Sequence, residues 1–223
     1  GGRFSVLSEV GIVPAFLMGV NIFKLRSKTL KFLKGKSKIF LESSCIKLSD
    51  LLCSRKINNL IFINYVPELD KFLFWSQQLI AESLGKKGKG ILPVISSMPK
   101  DNHSLMQYYL DGNKNSFFTF FFVKDDLSDK IINKDILNSH YYLKNKNVFK
   151  IREAQLLATQ KVFKKKNIPF RSFHLNKRNE KSLGELFTFF ILETILLGKL
   201  LDVNQYTKPA VELIKTDTKK ILL

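Results

Sequence analysis

Gln78 and Glu82 stand four residues apart in the segment Trp75-Ser76-Gln77-Gln78-Leu79-Ile80-Ala81-Glu82-Ser83-Leu84. On a helix that spacing puts both on one face, one turn apart. A carboxylate there could serve as a general base if burial or its neighbours tune its pKa. It also falls near the helix C-terminus, the unfavourable end of the dipole for a negative charge, and a solvated surface glutamate fits the same pattern. His103 follows the turn-rich Pro99-Lys100-Asp101-Asn102 and precedes Ser104, which reads as a helix N-cap. Histidine is the side chain that exchanges protons near neutrality, and a plain surface-loop histidine is the other reading. His140 and His174 lack such a context and read as non-catalytic. Lys215, in the last helix, reads on its own merits as a surface lysine. Gly85-Lys86-Lys87-Gly88-Lys89-Gly90 has the glycines of a phosphate-cradling loop, but it follows a helix instead of a strand and reads as a turn. Cys45 and Cys53 have no histidine or second cysteine pair at metal-ligand spacing, so they read as reduced thiols and no metal is expected.

Such side chains need a scaffold to bring them together. The apolar run 60–63, ended by Asn64-Tyr65-Val66-Pro67, predicts a buried strand of the parallel kind. Residues 91–95, the strongly aromatic 116–124 and 170–175 predict three more. Helices are expected over 4–20 with a break at Pro14, over 21–32, 68–84, 106–110 from a start near Ser104, 152–165, 183–200 and 209–222. Pro209 is well placed in a first helical turn. Strands alternating with helices of crossover length make parallel βαβ units, hence an α/β protein with a parallel sheet flanked by helices. In such sheets ligands sit beyond the carboxyl ends of the strands. The loops after Ile63, Ile95, Val123 and Leu175 are therefore the candidate positions, with the entry at Arg3.

The composition excludes several classes. Of 223 residues, 45% are apolar and only two are cysteine, which rules out a disordered chain and a disulfide scaffold. The apolar runs near 117–123 and 186–197 are too short or too interrupted to span a bilayer, which needs roughly 20 apolar residues. No secretory signal opens the chain, and it begins Gly1-Gly2-Arg3 without Met, as a processed, trimmed or partial chain would. The formal net charge of +18 raises the question of nucleic acid. Lysines are however spread over 28–38, 86–89, 144–150 and 161–166, and Lys, Asn, Ile and Phe are the residues that AT-rich codons favour. A nucleic-acid surface would cluster cations among exposed aromatics, whereas these aromatics fall in core patterns. The positive field would still draw phosphorylated metabolites.

Four blocks, in order along the chain, resemble the glucose-6-phosphate isomerase family. Gly1-Gly2-Arg3-Phe4-Ser5 is similar to its Gly-Gly-Arg-(Phe/Tyr)-Ser signature, and Gln77-Gln78 to Lys86 to its Gln-Gln-x-x-x-Glu-Ser-x-Gly-Lys segment. His103-Ser104-Leu105-Met106-Gln107 is similar to its His-Ser-x-x-Gln loop, and Pro209-Ala210-Val211-Glu212-Leu213-Ile214-Lys215 to its final helix. The resemblance implies an aldose–ketose isomerase acting on glucose 6-phosphate and fructose 6-phosphate, with the sugar-isomerase (SIS) three-layer sandwich. It implies the C-terminal half of such an enzyme: residues 1–50 as the end of a first domain with connecting helices, 51–223 as the second domain, and activity that requires the N-terminal half. Glu82 matches the catalytic base, Arg3 the arginine that stabilises the enediolate, His103 and Lys215 the ring-opening groups, and Gln78, Gly2 and Lys208 substrate-binding positions. Lys208 stands where the family commonly has Gln, and Ile214 where a small residue is usual. The implied partners are a sugar-phosphate substrate and a second copy of the chain that shares its histidine across a dimer interface. The resemblance implies no cofactor, nucleic acid or membrane, and a cytoplasmic setting. A non-catalytic sugar-phosphate-binding module of the same fold is the alternative.

Overall fold

The computed structural model describes residues 2–54, 56–125, 138–144 and 146–223; Gly1 of the Gly-Gly-Arg motif lies outside them. The chain divides into two compact units, neither of which is a single stretch of sequence. One consists of Gly1–Asn59, Phe72–Pro93 and Asn179–Leu223, the other of Leu60–Lys71 and Val94–Arg178.

The second unit is built on the sheet. Strands β1 (Asn59–Asn64), β2 (Leu92–Ser97), β3 (Ser116–Val123) and β4 (Phe170–Leu175) lie in the order β2-β1-β3-β4. β3 and β4 pair in parallel, from Phe118 against Phe170 to Val123 against Leu175. The four-stranded parallel sheet with flanking helices is the α/β fold expected from the alternation of strands and helices. Successive side chains of a strand point to opposite faces. On one face Ile61, Ile63, Tyr65, Phe118, Phe120 and Phe122 form a core with Leu156 and Phe163 of helix α7 (Val148–Lys165) and Tyr109 of α6 (Met106–Asp111). Leu60, Phe62, Phe121 and Val123, which alternate with them, are buried as well. Burial on both faces is why these strands read as continuous apolar runs. Edge-to-face rings hold β3 to α7: Phe118 and Phe120 meet Phe163 at 4.9 and 5.3 Å. Such pairs add about 1 kcal/mol each beyond area burial.

The polar ends of these strands are fixed by side chains. Buried Asn64 closes β1 by accepting from the Val66 N–H and donating to the Val66 carbonyl and to Asp70. After β3 and β4, Arg178 grips Asp125 through its Nε at 3.0 Å, its backbone N–H and a bond to the Asp125 carbonyl, and it also reaches Glu68. Burial works against ionisation of Asp125, but the backbone and side-chain bonds from Arg178 outweigh it and hold the carboxyl below its ordinary value.

The first unit is helical. It holds α1 (Glu9–Leu17), α2 (Ile22–Arg26), α3 (Gly35–Cys53), the greater part of α4 (Asp70–Leu84), α8 (Glu180–Leu200) and α9 (Pro209–Leu222). Phe187 of α8 meets Trp75 at 4.8 Å and Phe72 at 5.4 Å, so α4 is anchored on α8 by aromatic edges. α2 crosses α8 closely enough that a Cβ on Gly184 would lie 1.7 Å from the Leu25 carbonyl oxygen. α1 and α9 bury no residue.

Three expectations are corrected. The helix expected over 4–20 begins only at Glu9, because residues 2–7 are held in turns, and Pro14 lies inside it without ending it. α3 is a full helix where no element was expected. Its buried Leu41, Cys45, Leu48 and Leu52 have helical spacing, but Lys36, Lys38, Lys47 and four serines dilute the stripe. His103 lies within a short helix, α5 (Asp101–Ser104), and Ser104 is its last residue, not an N-cap. The Asp101 carboxylate organises that turn by accepting from Ser96 Oγ, the Ser97 N–H and Ser104 Oγ at 3.1, 2.7 and 3.0 Å.

Two outcomes are expected. Gly184→Ala forces α2 and α8 apart and lowers stability by about 2 kcal/mol or more, read by urea unfolding. Asp125, depressed in the folded state, contributes stability that is complete above its ordinary value of 3.8 and fades as pH falls through the folded value. Asp125→Asn therefore costs about 1–2 kcal/mol at neutral pH, and the gap to wild type closes in acid. A gap independent of pH would contradict the assignment.

Candidate active site

The site is assembled within the helical unit from three remote stretches of chain. The last two turns of α4 supply Gln78, Glu82 and Ser83, the segment before α1 supplies Arg3, and the loop after α8 supplies the carbonyls of Gln205 and Tyr206. α4 forms because its apolar residues Phe72, Leu73, Leu79, Ile80 and Leu84 recur with helical spacing, leaving Gln78 and Glu82 on its polar side.

Arg3 is 8% exposed and almost fully committed. One terminal nitrogen donates to Ser83 Oγ at 2.9 Å and to the Gln205 carbonyl at 3.2 Å; the other donates to the Tyr206 carbonyl at 2.9 Å. Its Nε lies 3.3 Å from Glu82 Oε2. Its guanidinium also lies 5.7 Å from the centre of the Phe4 ring, which in turn packs on Tyr206. Gln78 donates to the other carboxylate oxygen, Oε1, at 3.0 Å. Lys208 Nζ stands 3.8 Å from Oε2. Two cations thus face Oε2, yet this buried oxygen accepts no hydrogen bond from the described residues. A carboxylate oriented through one oxygen, with lone pairs uncommitted on the other, is suited to take a proton from a substrate carbon.

The remaining expected residues are placed differently. Gly2 is exposed, and a side chain there would meet nothing within 4 Å. Lys215 lies on exposed α9 and pairs with Glu212 at 2.9 Å. That hydrogen bond, with the charges of Lys215 and Lys208, holds Glu212 below the usual carboxylate range. His103 is exposed and belongs to the sheet unit. The structure therefore brings Arg3, Gln78, Glu82 and Lys208 together, and it does not bring Lys215 into contact with them. Ser83, Gln205 and Tyr206 were missed by the sequence reading. Two of them act through backbone carbonyls, which leave no signature in residue type. Among the described residues no group of three or more His, Cys, Asp or Glu could hold a metal ion, and no helix is long and apolar enough to cross a membrane.

Fold and site together define an α/β chain that sets a carboxylate against a buried guanidinium. No family model matches it. Among known proteins it is 37% identical, over 100% of its length, to 53% of a glucose-6-phosphate isomerase of Mycoplasmopsis pulmonis. It is 32% identical, over 95% of its length, to 53% of the glucose-6-phosphate isomerase of Methanocaldococcus jannaschii. The crystal structure of a hypothetical protein from Thermus thermophilus superposes on the whole chain with a TM-score of 0.86 at 28% identity, matching 55% of that protein. A glucose-6-phosphate isomerase from Chlamydia trachomatis gives 0.69 at 18% identity over 47% of its own chain, which speaks for the fold alone. The chain is a relative of the glucose-6-phosphate isomerases along its entire length, and it spans about half the length of the curated relatives it matches.

Arg3→Met is expected to leave the Gln205 and Tyr206 carbonyls without their donor and Glu82 without its buried counter-ion. Breaking a buried ion pair from one side costs about 3 kcal/mol, which urea unfolding followed by the fluorescence of Trp75 would read. A loss below about 0.5 kcal/mol, the range of an ordinary surface substitution, would show that the network contributes nothing.

Proposed function

We propose that this chain carries the proton-transfer half of an isomerase that interconverts glucose 6-phosphate and fructose 6-phosphate. The observation that carries the reading is the Glu82 carboxylate, oriented by Gln78, with Oε2 free of hydrogen bonds and set 3.3 Å from a buried arginine. Glu82 takes the proton from C2 of the open-chain aldose as the C1 carbonyl becomes an enediolate oxygen, then returns it at C1 as the O2 hydroxyl proton passes to O1 and the C2 carbonyl forms. One base serves both carbons because a cis-enediol presents them on one face. Oxidation at C2 balances reduction at C1, so the electron count calls for no external redox partner. Arg3, a cation that does not give up its proton at neutral pH, offsets the charge of the enediolate.

His103 and Lys215 serve opening of the cyclic sugar, and Gly2, Gln78 and Lys208 contact the substrate. The relatives' length and the motif order support residues 1–50 as the end of a first sugar-isomerase domain and 51–223 as a second. The exposed Val10, Phe16, Leu17 and Phe23 offer apolar surface for association, in keeping with a homodimer in which one copy lends its histidine to the other. A cytoplasmic setting accords with a phosphorylated substrate.

The test joins this chain to the half of the Mycoplasmopsis pulmonis relative that it does not match. Glucose 6-phosphate turnover is expected in that chimera. Glu82→Gln, which keeps shape and removes basicity, should lower it by roughly 10²–10⁴-fold. A folded chimera that binds fructose 6-phosphate but turns nothing over, or a Glu82→Gln variant near wild-type rate, would defeat the reading.

A further inference from the structure

The turn Gly85-Lys86-Lys87-Gly88-Lys89-Gly90 lacks the context of a phosphate loop, and the proposed reaction leaves it without a role. In the structure it folds back on itself, with Lys86 and Lys89 facing each other in an isolated bridge. Lys87, Gly88 and Gly90 take φ of 54°, 70° and 103°. At Gly90 a Cβ would also fall 2.5 Å from the Leu84 carbonyl, so the fold back onto the end of α4 requires glycine there.

The two lysines do not point into solvent. Lys89 Nζ donates to the Leu201 carbonyl at 2.8 Å, at the C-terminal cap of α8. Lys86 Nζ donates to the Ser83 carbonyl at 3.0 Å and to the Asn204 carbonyl. Both ammonium groups therefore meet the carbonyl-rich end of α8 and the loop behind it, where cations are favoured. The residues that follow Asn204 are those whose carbonyls hold the Arg3 guanidinium. The loop is gripped from its other side too. The side chain of Gln205 lies on Gly198 of α8, where a Cβ would come 2.9 Å from its Oε1, and the Asn204 side chain accepts from the Tyr206 N–H.

We infer that Lys86 and Lys89 are positioning residues: they fasten the 201–206 loop to the end of α4 and so fix the Arg3 guanidinium against Glu82. The functional meaning of this fastening rests on the isomerase reading; the fastening itself does not. Desolvation and the neighbouring Arg3 charge lower the Lys86 pKa while Glu82 raises it, as expected of an ammonium held within this cluster.

The experiment uses the full chain and reads the rate at which phenylglyoxal modifies Arg3, by mass spectrometry of its peptide, with Arg178 of the other unit as internal reference. Lys86→Met is expected to raise the Arg3 rate about tenfold by freeing its carbonyl partners, since bonds from charged donors are worth a factor of this order or more. Lys89→Met should give a smaller rise, and Lys86→Arg, which keeps a charged donor, should return the rate close to wild type. The Arg178 rate should stay unchanged throughout. An unchanged Arg3 rate in Lys86→Met, a failure of Lys86→Arg to restore it, or a parallel rise at Arg178 would each overturn the inference. No sugar phosphate enters this measurement, so its failure is separate from failure of the isomerase assay.

Discussion

A guanidinium buried near the start of the chain sets the terms for the helical unit. Arg3 cannot shed its charge, so folding must supply acceptors in the right directions or the buried ion is destabilising. The acceptors come from Ser83, 80 residues away, and from Gln205 and Tyr206, 202 and 203 residues away. Glu82 completes the set as counter-ion. Long-range order in this unit and the geometry of its candidate site are therefore one requirement, and the α4 helix end cannot be correctly seated without both remote segments in place.

The sheet unit meets a different requirement with different means. Its core is hydrocarbon and aromatic, and polar side chains act mainly at strand ends, where Asn64, Asp101 and Arg178 replace backbone partners lost as the chain leaves the sheet. Asp101 is the most economical of these, because one carboxylate orders the exit from β2 and the helical turn that carries His103. The position of that histidine is thus determined by a neighbour whose type alone suggested only a turn.

The strands and the long helices were legible because burial imposes pattern. Residues 170–175 and 209–222 also came out with the bounds read from the sequence, even though β4 is only half-buried and α9 buries no residue; Pro209 marks where α9 begins. α3 was not legible, since its stripe of four apolar side chains is crowded by lysines and serines, and Ser49 is itself buried within it. The pairing of Gln78 with Glu82 followed from spacing alone. The place of Arg3 beside Glu82 did not: only the family resemblance put the two into one site, because no local rule links residues so far apart. The contributions of Gln205 and Tyr206 were hidden altogether, as any residue type can offer a carbonyl.

β3 is the sequence Ser-Phe-Phe-Thr-Phe-Phe-Phe-Val, uncharged and free of proline and glycine, and in the folded protein it is shielded between β1 and β4. Five phenylalanines in such a window are a strong template for self-association whenever the strand is bare. Its partner β4 is made late: Thr119 is joined to Arg171, 52 residues further along. During synthesis the strand must therefore pass through an interval in which one edge has no native neighbour, the situation in which parallel sheets are slow to form and open to aggregation. Chaperone demand and expression temperature, more than equilibrium stability, should then govern how much of this protein a cell recovers in folded form.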